Sequence, residues 1–136
     1  MERARIADAA LGIRHVFLRD MVLLASIGIY AHERAARQRI RINVDLGVVD
    51  DGALPMSRAP VGRDELSRVV DYEALAVLVR DLCTAGHVNL VETLAERIAE
   101  ATLRDPRVIS ARITLEKLDI FADVASAGVT VERRRR

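Results

Sequence analysis

Lys117 ends the apolar row of a strand, a position that raises a chemical question. In "RITLEK" (112–117), Ile113, Leu115 and Lys117 share one parity and Arg112, Thr114 and Glu116 the other. One parity of a strand faces one side of a sheet. A lysine closing an apolar row either snorkels its ammonium to water or sits in a partly dry pocket. In such a pocket it can exchange protons or form a Schiff base with a carbonyl. Glu33, in "YAHER", is an acid in a connecting loop and by itself reads as solvated. Tyr72 follows Asp71 and can anchor a helix to a sheet. Glu92 falls three residues after Asn89, the spacing of a capping box, so helix capping accounts for it without a ligand. "HER" lacks the second histidine of a zinc-binding helix, and His32 and His87 have no clustered partners, so no metal site is expected. The single cysteine, Cys83, excludes an intramolecular disulfide and a multi-cysteine zinc site, and reads as a small core hydrophobe. Neither a glycine-rich phosphate loop nor a nucleophile elbow is present.

The elements that must carry these residues are legible in the periodicity. "HVFLRDMVLLASIGI" (15–29) reads as a strand with a bend or bulge. "RQRIRINVDLGVV" (37–49) alternates, with Ile40, Ile42, Val44 and Leu46 on one face and Arg39, Arg41, Asn43 and Asp45 on the other. "YAHERAA" is then the loop of a hairpin. Residues 50–65, with two of the chain's three prolines, form an irregular loop. Asp71 caps a helix in which Tyr72, Leu75, Ala76, Val79, Leu82 and Cys83 keep helical spacing. Asn89 opens a second helix with a Leu90, Leu94, Ile98, Ala101 stripe, and Pro106 blocks its continuation. "RVISARITLEK" and "ASAGVTVERR" complete the order β-β-α-α-β-β. That order implies an α+β domain: an antiparallel four-stranded sheet with two helices on one face. Its open edges invite assembly.

Composition sets the class. The length of 136 residues fits one domain, 14–134, after an N-terminal tail at 1–13 and before a basic end at 135–136. Apolar residues are 51% but aromatics only 3%, so aliphatic side chains must fill the core. With 21 basic against 20 acidic residues, the charge is not that of a dedicated nucleic-acid binder. The longest charge-free stretch, 21–32, is too short to span a bilayer, so no membrane partner and a cytoplasmic location are expected.

Taken together, "IGIYAHERAARQRIRINVDL", "DELSRVVDYEAL", "NLVETLAERIAE" and "ITLEK…AGVTVER" resemble the dihydroneopterin aldolase family from about Arg14 to Arg134. The resemblance implies the tunnelling fold, in which sheets of several subunits join into a barrel. It implies a homo-octamer of two stacked rings with active sites at subunit interfaces. It also implies retro-aldol cleavage of the pterin substrate 7,8-dihydroneopterin, in folate biosynthesis, with no metal, cofactor or Schiff base. By the same resemblance, Lys117 helps move the side-chain hydroxyl proton and supports protonation of the ring nitrogen. Tyr72 is the proton donor to the enol intermediate, from a neighbouring subunit. Glu33 lies near the hydroxylated side chain, Glu92 anchors the pterin, and the Val91 backbone and Val70 line the pocket. Two departures stand out: Leu118 replaces the proline that many members place after the lysine, and the 50–65 loop is long. The alternatives are an epimerase acting on dihydroneopterin triphosphate, with Arg34, Arg37 or Arg63 as phosphate cations, and a non-catalytic oligomeric pterin-binding module.

Overall fold

The computed structural model describes residues 6–50 and 64–135. Most of the irregular loop expected at 50–65, and residues 1–5 of the expected tail, lie outside the described residues. The elements in chain order are β1 (Ile13–Ala25), α1 (Ala31–Ala35), β2 (Gln38–Val49), α2 (Tyr72–Thr84), α3 (Val91–Thr102), β3 (Val108–Lys117) and β4 (Ala127–Arg134). Short 3-10 turns lie at Ala9–Leu11 and Leu66–Arg68. The strands form one antiparallel sheet in the order β1-β2-β3-β4.

The alternation of β2 decides which face is covered. Ile40, Ile42, Val44 and Leu46 are buried, together with Ile113 and Leu115 of β3. Leu75, Val79 and Cys83 of α2, and Leu94, Ala95, Ile98 and Ala99 of α3, belong to the same core. Burial pushes the Cys83 thiol up to about 12, consistent with an inert core hydrophobe. The other face carries exposed Phe17, Val22 and Leu24 on β1 beside paired charged side chains. Arg41 binds Glu116 through Nε and Nη2, both at 2.8 Å, and Arg112 Nε donates to Glu132 at 2.9 Å. Asp45 is nearly buried there. Burial opposes its ionisation, but hydrogen bonds from Arg19 (2.9 Å) and His15 (2.7 Å) prevail and hold its carboxyl below the usual range.

The expected irregularity in the first strand is a bulge between Leu18 and Met21. Asp20 adopts φ 55°, its N–H donating to Asn43 Oδ1 at 2.8 Å while Asn43 Nδ2 donates back to Asp20 Oδ1 at 3.2 Å. Asp71 caps α2 as expected, accepting from the Glu73 N–H at 2.9 Å.

Three readings need correction. The first strand ends at Ala25 rather than Ile29, because residues 26–28 turn to bond the segment before α3. The "YAHERAA" connection contains a short helix. Leu90 is not in the core stripe but 47% exposed at the start of α3. At the basic end, the Arg135 guanidinium donates to the carbonyl of Leu103, the C-cap of α3, and, at 3.2 Å, to that of Asp105, which also accepts from the Val108 N–H at 3.0 Å. No helix among the described residues is long and apolar enough to cross a membrane.

Candidate active site

The β2–β3 register places Lys117 opposite Ile40, on the helix-covered side of the sheet. One more rung follows: the Leu118 N–H donates to the Arg39 carbonyl at 3.1 Å. A proline at 118 could not make that bond, so Leu118 extends the ladder past the lysine it must hold in place.

From there the lysine is mostly withdrawn from water. Lys117 Nζ lies 2.5 Å from Glu33 Oε2, and its side chain is only 15% exposed. Glu33, expected from the sequence alone to be a solvated acid, is 4% exposed. Helix α1 turns it inward. Burial works against its ionisation, and hydrogen bonds from Lys117 and then Gln38 overcome that effect. Its carboxyl is therefore held below the usual carboxylate range.

The backing of Glu33 is tightly packed. Gly28 has φ +129°, and a Cβ there would fall 2.1 Å from the Glu33 carboxyl carbon and 2.3–2.4 Å from its oxygens. Gln38 Nε2 donates to the Ile27 carbonyl (2.7 Å) and to Glu33 Oε2 (3.0 Å). His87 Nε2 donates to the Gly28 carbonyl at 2.8 Å, while its Nδ1 meets Ser26 Oγ at 2.7 Å. A parallel bridge between Ile27 and Val88 joins the same two segments, with Gly28 N–H to Val88 O at 3.0 Å and Val88 N–H to Ser26 O at 3.1 Å. These bonds bring the start of α3, with Val91 and Glu92, to the turn that carries Glu33.

The start of α3 overturns the capping-box reading. Its N-cap is Leu90, which makes no side-chain cap bond. Asn89 instead accepts from Arg34 Nη2 at 2.7 Å, a charge-assisted bond that outcompetes a neutral cap. Glu92 is therefore the second helical residue. It is exposed, and among the described residues none hydrogen-bonds its carboxylate. Val91 beside it is half-buried.

Tyr72 and Val70 are elsewhere. Both line an open cavity of about 710 Å³ with Arg14 and Arg68, and Tyr72 is 67% exposed, so it does not anchor α2 to the sheet. Val70 also borders a cavity of about 270 Å³ with Leu46 and Val108. Lys117 pairs with Ile40, six positions along β2 from Leu46, or about 20 Å at ~3.4 Å per residue. One chain thus assembles Lys117, Glu33, Val91 and Glu92 at one end of the sheet and carries Tyr72 and Val70 at the other. Gln38, Gly28 and His87 were assigned no part from the sequence. The only signal for the first two is "RQ" and "IGI" flanking the acid, nothing in those patterns says that they converge on it, and no pattern marks His87. Among the described residues no group of three His, Cys, Asp or Glu side chains gathers as a metal ion would need.

Comparisons with known proteins bear on this arrangement. A family model described as dihydroneopterin aldolase matches residues 16–132. The dihydroneopterin aldolase of Streptomyces coelicolor is 31% identical over 116 residues, 85% of this chain and 92% of that one. That of Methylorubrum extorquens is 30% identical over 124 residues, 88% and 89% of the two chains. Among solved structures, a dihydroneopterin aldolase from Burkholderia thailendensis bound to guanine superposes with a TM-score of 0.76 at 34% identity, covering 93% of this chain and 96% of that one. The Escherichia coli enzyme in complex with neopterin gives a TM-score of 0.73 at 25% identity, covering 88% and 98%.

Proposed function

This chain belongs to the dihydroneopterin aldolase family, and from that premise we propose how its own residues divide the work of cleaving 7,8-dihydroneopterin. The fold is the tunnelling fold of that family. The reaction is a retro-aldol: the bond between the first two side-chain carbons breaks, glycolaldehyde leaves, and 6-hydroxymethyl-7,8-dihydropterin remains. The substrate's ring imine accepts the electron pair, so no Schiff base to the protein is required. Lys117 donates a proton towards the ring nitrogen and, as an amine, takes the proton of the side-chain hydroxyl, directly or through water. The Glu33 carboxylate against Nζ holds that lysine in place and balances its charge. Tyr72 protonates the enol carbon that remains.

The observation that carries this reading is the Lys117–Glu33 pair, mostly buried at the end of an apolar strand face and beside the start of α3. Purified protein should convert 7,8-dihydroneopterin to hydroxymethyldihydropterin and glycolaldehyde on chromatography. Epimerisation of the triphosphate without cleavage would refute it. Of the phosphate cations that the epimerase reading needs, Arg34 is engaged by Asn89 and Arg37 is exposed beside Gln38, while Arg63 lies outside the described residues.

The separation of Lys117 and Tyr72 within a chain supports a site completed by a neighbouring subunit, in a homo-octameric barrel whose subunits join within each ring at the β1 and β4 edges. Light scattering should find an octamer, and an active monomer would refute shared sites.

Glu92 is the pterin anchor in this reading. Its carboxylate can accept from the pterin 2-amino group and N3–H together. Without a capping box, its remaining structural contribution is to the helix dipole, about 0.3–1 kcal/mol. Glu92→Gln should fold normally, because an exposed side chain is replaced by its isostere. It should bind a pterin product analogue at least ~10-fold more weakly, because an amide donor then faces the pterin N–H groups and a charge-assisted bond of about 1.5–3 kcal/mol is lost. Calorimetric titration measures this. Unchanged affinity would return Glu92 to the dipole alone.

A further inference from the structure

Glu33 is buried against a backbone that leaves it no room, and one neutral side chain holds it there. We propose that Gln38 is a positioning residue for the aldolase reaction: its amide fixes the Glu33 carboxylate against Lys117 and ties it to the wall of the site at Ile27. The proposal rests on the reading above.

The geometry leaves the amide little freedom. An amide nitrogen has two hydrogens. On Gln38 one goes to the Ile27 carbonyl at 2.7 Å and the other to Glu33 Oε2 at 3.0 Å. Ile27 is fully buried and bridged to Val88, so the first bond fixes the amide to a rigid point. The second then sets where Oε2 lies. That same oxygen receives Lys117 Nζ at 2.5 Å. Gln38 therefore fixes the distance between the proton-carrying amine and its counter-charge, without needing to touch the substrate.

The charged groups around Glu33 leave this assignment distinct. From β3 comes Lys117, its ion-pair partner. From α1, Arg34 turns away to Asn89. From the segment before α3, His87 reaches the Gly28 carbonyl behind the carboxylate rather than the carboxylate itself. From β2, Arg39 is held by Asp119. Of the donors reaching Glu33 from the strands, Gln38 alone is neutral, so its contribution is separable from the ion pair.

The test compares Gln38→Met, which keeps length but has no donor, with Gln38→Glu, which keeps shape but sets a second carboxylate against Glu33. A hydrogen bond to a charged group favours ionisation, so its loss raises the Glu33 pKa, and a neighbouring carboxylate raises it further. The acidic limb of the kcat–pH profile should therefore move to higher pH in the order wild type, Met, Glu. At neutral pH kcat should fall about 10- to 100-fold in Gln38→Met, with KM within about threefold, as expected of a group that acts through Glu33 and not on the substrate. Carbon-13 carboxyl titration of Glu33, assigned through Glu33→Gln, should show the same order. The titration reads the brace even in protein that turns nothing over, so a failure of the brace and a failure of the aldolase reading give different results. An acidic limb and a Glu33 titration that coincide in all three proteins would overturn the proposal.

Discussion

Lys117→Ala is expected to lower turnover by about 100- to 10,000-fold, the range that a positioned proton carrier contributes, and to weaken the fold at the same time. The second effect follows from Glu33. With Lys117 gone, a carboxylate that is 4% exposed keeps Gln38 but no cation. Removing one partner of a buried ion pair costs about 3–5 kcal/mol, and the bond retained from Gln38 places this case at the low end. The pH dependence identifies the cause. In the wild type the Glu33 carboxyl lies below its ordinary range, so its contribution to stability is present above the ordinary glutamate pKa of 4.5 and is lost as pH falls through the depressed value. In Lys117→Ala burial dominates and the carboxyl rises above that range. Its penalty is then greatest at neutral pH and shrinks on acidification, so the melting temperatures of the two proteins should converge from pH 7 to pH 5. Adding Glu33→Gln should recover much of the stability at pH 7 but none of the turnover. A single variant that keeps turnover within a few-fold would make Lys117 structural.

Gly28→Ala should be nearly as damaging, through geometry alone. At φ +129° an alanine is strained by about 1–3 kcal/mol. Its methyl group would also occupy the space of the Glu33 carboxylate, 2.1 Å from the carboxyl carbon. Either the carboxylate leaves Lys117 or the Ser26–Gly28 segment leaves Val88, and a displacement of about 1 Å at reacting groups can cost ~100-fold in rate. Gly86→Ala separates strain from collision. Gly86 also has a positive φ, +156°, but a Cβ there meets nothing within 4 Å. That variant should lower the melting temperature yet leave turnover within about twofold. Equal losses of turnover in both variants would mean that backbone strain, and not the position of Glu33, is what matters at Gly28.

The order of elements was legible because burial imposes its period on the chain. Ile40, Ile42, Val44 and Leu46 alternate as a half-buried strand must, and Leu75, Val79 and Cys83 repeat as a covered helix must. Asp71 was readable as a cap because capping is local, a bond between residues two apart. Asn89 misled for the reverse reason. Its local partner lost to Arg34, 55 residues away, and no local pattern records such a competition. Glu33 was misread similarly: an acid in a short connection is ordinarily solvated, and only the turn of α1 and the arrival of Lys117 from β3 make it buried and paired.

The sequence by itself determined the α+β order, the apolar face that ends at Lys117 and, through resemblance, the family and the residues to inspect. Tertiary structure decided which of those residues meet. It joined Lys117, Glu33 and Gln38 and left Tyr72 and Val70 towards the other end of the sheet, where Val70 borders a cavity with Leu46, about 20 Å along β2 from Ile40. The physical reason is range. Periodicity and capping depend on neighbours within a turn or a strand pair, whereas an ion pair between residues 33 and 117 depends on strand register and on the space a glycine leaves open, both fixed only when the whole sheet has packed.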